Sequence, residues 1–156
     1  AHFPALMQGQ GCENIGDETI FWFGLWPEAD SDGVRAAIWK RDRLGHLEPF
    51  VRPGQECFVI SDEIYLENQH ANIFLNVDGI SEYNKISVSI LDKNFNTIKG
   101  YSSNECIPLS ENGFKTLVRW HKQMSVCSKD PIRIRIDFEG IRPEDLKLYA
   151  VYLENW

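Results

Sequence analysis

The sequence has no excess of positive charge and no long hydrophobic run, and each absence excludes a class of partner. Among its 156 residues, 16 are Lys or Arg and 23 are Asp or Glu, so the formal net charge is −7. A nucleic-acid partner would require a basic face. With this net negative charge, no nucleic-acid partner is expected. No apolar run approaches the roughly 20 residues that a membrane helix needs, so no membrane partner is expected either.

Cysteine and histidine are few and scattered, which argues against metal and redox sites. The cysteines form no Cys-x-x-Cys pair, and we expect free, buried thiols rather than disulfides. The histidines lack the spacing of metal ligands, and none stands beside a convincing nucleophile. The sequence therefore predicts no metal, no cofactor and no catalytic residue. The residues concerned are Cys12, Cys57, Cys106, Cys127, His2, His46, His70 and His121.

The strongest pattern that is present is an alternation of apolar and charged residues. From Ile132 to Glu139 every second residue is Ile or Phe, and the residues between them are charged. Side chains in a strand point alternately to opposite faces, so this run predicts a strand with one dry and one wet face. We interpret the face that carries Arg133, Arg135 and Asp137 as a solvated sheet surface with cross-strand ion pairs.

Similar strand candidates recur along the chain with turn residues between them, and only residues 142–145 suggest a helical turn. This pattern predicts an all-β fold, an antiparallel and jelly-roll-like β-sandwich. Residues 1–45 are predicted to form a separate hairpin segment, and residues 46–156 to form the sandwich. The strand candidates are 19–25, 34–39, 46–51, 57–60, 64–66, 72–77, 85–91, 114–120, 132–138 and 146–153.

A Gly-rich segment (residues 8–19), an aromatic run (21–24) and an Arg-Asp-Arg-x-Gly turn (41–45) follow one another in the first unit. In this order they resemble the last blade of five-bladed β-propeller proteins related to bacterial glycoside hydrolases. Later motifs resemble the β-sandwich that follows the propeller in that group. Those motifs are residues 75–78, 90–92, 100–102, 118–120, 132–135 and 148–151.

This resemblance implies that the chain is an accessory part of a carbohydrate-active protein. Its partners would be carbohydrate and the upstream catalytic propeller domain of the same parent protein, which it would stabilise. A propeller active site is assembled from several blades, so this chain by itself is not expected to turn over substrate. The parent would be extracellular or periplasmic if it is secreted. Because Ala1 is not Met, we expect a processed product or a piece of a longer protein.

Two alternatives to this function remain open. One is a free-standing, lectin-like carbohydrate-binding domain, which would need exposed aromatic rings near Trp26 or on a sandwich face. The other is a purely structural or interaction module without a ligand. In that case the large apolar residues of the first 45 positions would cover the sandwich or a missing partner.

The sequence offers two groups of candidate carbohydrate-binding residues. Trp26 precedes a loop that contains Asp30 and Asp32. A flat ring can stack on a sugar face while carboxylates bond its hydroxyls. Gln8 and Gln10 precede the strand at residue 19 and, in the propeller resemblance, approach the central axis. The competing interpretations are a Trp26 that packs within the blade and a Gly-rich loop that satisfies its own backbone.

The remaining motifs are interpreted as structural. Three carboxylate pairs, residues 30 and 32, 62 and 63, and 144 and 145, are expected to be solvated turns rather than catalytic pairs. Trp39 and Trp120 are expected to pack in a core or between domains. The Arg-Asp-Arg turn is expected to tie the hairpin to the sandwich through a salt bridge.

Overall fold

The structure, a computed structural model, describes residues 6–26, 34–50, 55–67 and 70–155. Within these ranges the chain forms strands and one short 3-10 helix, Pro143–Asp145, but no α-helix. The strands are β1 (Leu6–Ile15), β2 (Glu18–Trp26), β3 (Arg35–Lys40), β4 (Cys57–Ile60), β5 (His70–Asp78), β6 (Asn84–Leu91), β7 (Cys106–Ile107), β8 (Gly113–Leu117), β9 (Arg119–Trp120), β10 (Val126–Cys127), β11 (Arg133–Gly140) and β12 (Lys147–Asn155).

The all-β prediction is confirmed. Every strand pair in the described part of the chain is antiparallel, and no sheet there closes into a barrel, which is consistent with a β-sandwich. The chain divides into two compact units, Ala1–Gly45 and His46–Trp156.

The first unit contains a three-stranded sheet in the order β1-β2-β3. The predicted hairpin is present, because β2 pairs with β3 from Glu18 opposite Lys40 onward. The interpretation of the Gly-rich segment as a loop is wrong, since that segment forms β1 and pairs with β2. A β-bulge between Gly9 and Gly11 absorbs a register shift, and Gly11 has a φ of 126° that favours glycine.

The second unit contains two main sheets. In one, β5 lies between β12 on one side and the shorter β8 and β10 on the other. In the other, the order is β4-β11-β6, and a separate pair joins β7 to β9. One cluster of buried side chains draws on β5, β6, β11 and β12, so both sheets contribute to a single core. Its strand residues include Ile73, Leu75, Val77, Ile86, Val88, Ile90, Ile134, Ile136, Phe138 and Leu148.

The dry face predicted for β11 is confirmed, because its apolar residues all belong to the core. β6 is buried on both faces from Ile86 onward. Its apolar residues lie in the core, and Ser87 and Ser89 on the opposite face are also buried. Trp120 is 1% exposed and is a core residue as predicted. Trp39 in β3 retains 36% exposure, so it is not a core residue.

Local deviations from the predicted strands have structural causes. The predicted strand 114–120 is interrupted at Val118, where the pairing partner changes from β5, which pairs with β8, to β7, which pairs with β9. Within the described residues 46–50 and 64–66, the predicted strands are replaced by isolated bridges, at Leu47 and at Ile64. The predicted turn at 142–145 is confirmed as a 3-10 helix with Pro at its start.

Candidate functional site

The structure does not describe the side chains of the carbohydrate-binding residues predicted from the sequence. The backbones of Gln8, Gln10 and Trp26 belong to β1 and β2, but the positions of their side chains are not described. Asp30 and Asp32 lie outside the described residues altogether. The role of these five residues therefore stays a prediction.

The Arg-Asp-Arg turn closes a hydrogen-bond network within the first unit. Asn14 Nδ2 donates to Asp42 Oδ1 at 2.7 Å, and the Thr19 hydroxyl donates to Asn14 Oδ1 at 2.5 Å. The Asp42 amide returns a bond to the Thr19 hydroxyl at 2.8 Å, and Arg41 Nη1 donates to the Gly16 carbonyl at 3.1 Å. These bonds fasten the end of β3 to the β1–β2 turn, which is a structural role.

The charged face of β11 carries ion pairs at Arg133, as predicted. Arg133 Nη1 lies 3.2 Å from Asp62 Oδ1, and Nη2 lies 2.9 Å from Glu63 Oε1. Its guanidinium also covers the Phe95 ring, 4.6 Å from the centroid. The pKa of Asp62 is lowered by the amide of Glu63 and then by Arg133. The 62–63 carboxylate pair therefore serves as a partner for arginine.

The same face is neutralised further along the strand. Arg135 donates to Asp137 Oδ1 from Nε at 2.8 Å and from Nη2 at 2.6 Å, and Nη2 also reaches Glu56 at 3.1 Å. Lys85 and Glu139 are directly opposite in the register and pair at 3.1 Å. Carboxylates thus compensate the cations of this face, and the arrangement stabilises the sheet rather than forming a site for an anionic ligand.

The described ranges contain neither a cluster of metal ligands nor a membrane-spanning helix. No three His, Cys, Asp or Glu side chains there are grouped closely enough to hold a metal ion. The same ranges contain no helix long and apolar enough to cross a bilayer.

A groove of about 610 Å³ in the second unit is the best candidate for a binding site. It is formed by residues 107–117, which connect β7 to β8 and include β8, together with Arg119 of β9. Phe114 is 36% exposed in this groove, and its ring stands edge-to-face against Tyr152 of β12 at 5.5 Å between centroids. The exposed polar side chains that also line the groove are Ser110, Glu111, Asn112, Lys115 and Arg119.

The groove walls are fastened to the core of the sandwich. Leu109 is buried, and its amide donates to the Ile86 carbonyl at 3.2 Å. Asn112 Oδ1 accepts from the Ile80 amide at 2.8 Å. Lys115 pairs with Glu154 of β12. A preformed, anchored wall lowers the ordering cost of binding a ligand.

A second groove, of about 350 Å³, offers less polar chemistry. Its walls are mainly apolar, and Glu48 and Glu56 supply its charged side chains. The first groove combines a ring with donors and acceptors, so it is the better candidate for a polar ligand. The other residues of the second groove are Leu47, Pro49, Phe50, Cys57, Phe58, Val59 and Phe138.

Sequence reasoning missed the first groove because it assigned Phe114 to the start of a long strand. The Asn112-Gly113 dipeptide before Phe114 is a turn signal that could have placed this ring at the edge of a loop. No family model, curated protein or solved structure matches the chain.

Proposed function

We propose that this chain is a non-catalytic accessory β-sandwich module of a carbohydrate-active, glycoside-hydrolase-like protein. In this proposal the groove of residues 107–119 binds glycan. The observation that carries the proposal is a partly exposed aromatic ring, Phe114, in an open groove that is also lined by polar and charged side chains such as Glu111 and Arg119.

The groove has the chemical components that sugar recognition requires. The C–H face of a pyranose is apolar and packs on a flat ring, which Phe114 supplies. Sugar hydroxyls both donate and accept hydrogen bonds. The Arg119 guanidinium and the side-chain NH₂ of Asn112 can donate hydrogen bonds, and the Glu111 carboxylate can accept them. An open groove suits a segment of a polysaccharide chain better than a small, fully enclosed ligand.

The acidic residues support a role without catalysis. Glycoside hydrolysis needs two carboxyls that face one bond, about 5–10 Å apart, and a general acid with a raised pKa. Hydrogen bonds instead lower the pKa of Asp62, Asp92 and Glu105. Asp145 is engaged in an ion pair, because its Oδ2 lies 3.0 Å from Arg142 Nε.

The sheet of the first unit supports an accessory role beside other sheets of the same parent protein. Ile38 and Trp39 are adjacent in β3, so they point to opposite faces, and they are 56% and 36% exposed. A sheet with apolar side chains on both faces is typical of one stacked between neighbours. The upstream propeller domain is the proposed neighbour.

Isothermal titration calorimetry against a panel of soluble neutral and acidic polysaccharides tests the glycan site. We expect saturable binding by the wild type and a loss of about tenfold or more in affinity for Phe114→Ala, which removes the stacking surface. Tyr65→Ala is the matched control, because Tyr65 is 72% exposed and lies outside the groove.

Two results would contradict the proposal. Binding that survives Phe114→Ala unchanged would move the glycan site elsewhere, for example to the region of Trp26. No binding by a folded sample across the whole panel would leave a purely structural module.

A further inference from the structure

An exposed thiol and an exposed imidazole meet on the second unit. Cys127 of β10 lies directly opposite His70 of β5 in the antiparallel register. The Cys127 Sγ is 3.7 Å from His70 Nε2, within the reach of a hydrogen bond to sulfur. Both residues are exposed, so a reagent in solvent can approach the pair. None of the structural or glycan-binding roles described above uses it.

The strand that carries Cys127 is fixed to the core. The Cys127 amide donates to the Tyr101 hydroxyl at 3.2 Å, and that hydroxyl donates to the Ser125 carbonyl at 3.2 Å. Tyr101 is buried and packs edge-to-face on Trp120, 5.1 Å between centroids. Val126 points into the core, so alternation along β10 directs the Cys127 side chain outward. The fold therefore holds the thiol beside the imidazole.

In the described part of the chain, Cys106 and Cys12 lack this combination of an exposed thiol and a bonded imidazole. Cys106 is buried, and burial raises the pKa of its thiol, which disfavours the reactive thiolate. Cys12 is exposed, but its neighbour across the strands is Phe21. All four cysteines are free. The expectation that they are buried is confirmed for Cys106 and wrong for the exposed Cys12 and Cys127, and Cys57 is partly buried. Cys12 is thus a natural internal control for exposure without an imidazole.

We propose that Cys127 and His70 form a thiol-modification site that reacts with low-molecular-weight disulfides. His70 accepts the proton of the Cys127 thiol, and the thiolate sulfur attacks one sulfur of the disulfide. A new S–S bond forms on Cys127 while the S–S bond of the reagent breaks. The departing thiolate takes up the proton from His70. The products are a mixed disulfide on Cys127, now oxidised, and one free small thiol, now reduced.

The test is exposure of the full chain to oxidised glutathione, followed by peptide mapping of each cysteine by mass spectrometry over time. We expect Cys127 to be modified about tenfold faster than Cys12. This ratio is below the roughly hundredfold effect of a positioned base in a closed active site, because the pair is open to water. In His70→Gln the Cys127 rate should fall to that of Cys12, while the Cys12 rate stays unchanged. Far-ultraviolet circular dichroism of both proteins checks that the fold is retained.

The direction of the His70→Gln effect separates a proton acceptor from a steric shield. Removal of a shield would raise the Cys127 rate, and that result would overturn the proposal. Equal rates at Cys127 and Cys12 in the wild type would also overturn it. Added imidazole should restore part of the lost rate at Cys127 in His70→Ala without a comparable gain at Cys12. A failure of this rescue would show that His70 does not act on the thiol through its imidazole.

Discussion

The indole of Trp120 closes the outer backbone edge of β6, and its loss should destabilise the second unit. Trp120 Nε1 donates to the Val88 carbonyl at 3.0 Å. The Val88 amide on the same edge bonds to Cys106 Sγ at 3.3 Å. The neighbouring carbonyls of Ile86 and Ile90 accept from the amides of Leu109 and Ile98. This edge is thus covered by loop backbone and side chains rather than by another strand.

Trp120→Phe is the sharpest test of this arrangement. The variant keeps an aromatic ring but leaves the buried Val88 carbonyl without its donor, at a cost of about 1–3 kcal/mol. The smaller ring also leaves a cavity and weakens the contact with Tyr101, at a cost of about 1 kcal/mol. The expected loss in the free energy of unfolding is therefore about 2–4 kcal/mol.

Hydrogen–deuterium exchange by mass spectrometry measures the protection of each segment separately. A local measurement is needed because the chain has two compact units and a global unfolding signal would combine them. Protection should fall in segments 84–91 and 119–120, with no change in residues 6–26. Trp39→Phe is the matched control, because Trp39 is partly exposed in the first unit and its change should stay within about 0.5 kcal/mol. A loss below about 1 kcal/mol for Trp120→Phe, or unchanged exchange in segment 84–91, would refute the reasoning.

Three further predictions concern ion pairing, backbone strain and pH. Asp137→Asn should lower the free energy of unfolding by about 2 kcal/mol, because Arg135 loses a largely buried charged partner. Urea denaturation measures this loss, and an unchanged midpoint would refute the prediction. Gly79→Ala should lower the melting temperature and reduce the free energy of unfolding by at least about 2 kcal/mol. The Gly79 φ is 83°, and a Cβ there would clash with the Asp145 carbonyl of the 3-10 helix. An unchanged melting temperature would contradict this prediction. The Ser102 hydroxyl and amide lower the pKa of Glu105, so this carboxylate stabilises the fold above its ordinary value of 4.5, and the stabilisation is lost as pH falls through the lowered pKa. The melting temperature of Glu105→Gln should thus lie below that of the wild type at pH 7, with a gap that shrinks at pH 3; a constant gap would contradict the linkage.

The parts of the fold that follow from local periodicity could be predicted from the sequence. β11 shows strict alternation, and its apolar residues are buried as that alternation requires. β1 could not be predicted in this way, because its glycines are typical of a loop and only its pairing with β2 makes it a strand. The short strands β7 and β10 also depend on tertiary pairing, since a pair of residues carries no periodicity.

The candidate sites depend on contacts between distant parts of the chain. Phe114 acquires its orientation from Tyr152 on β12, and Asn112 acquires its role from the amide of Ile80. Cys127 and His70 meet only because β10 and β5 are paired in one register. Composition and spacing carry no information about such register, which is why the sequence pointed to other residues.

Nuclear magnetic resonance titration of the wild-type chain with a panel of oligosaccharides tests the central claim most directly. Amide chemical shifts report which residues a ligand contacts, even when the affinity is weak. The proposal predicts saturable shift changes concentrated in residues 107–119 and at Tyr152, which packs against Phe114. Saturable changes confined to other residues, or none with any oligosaccharide in the panel, would contradict a glycan site in this groove.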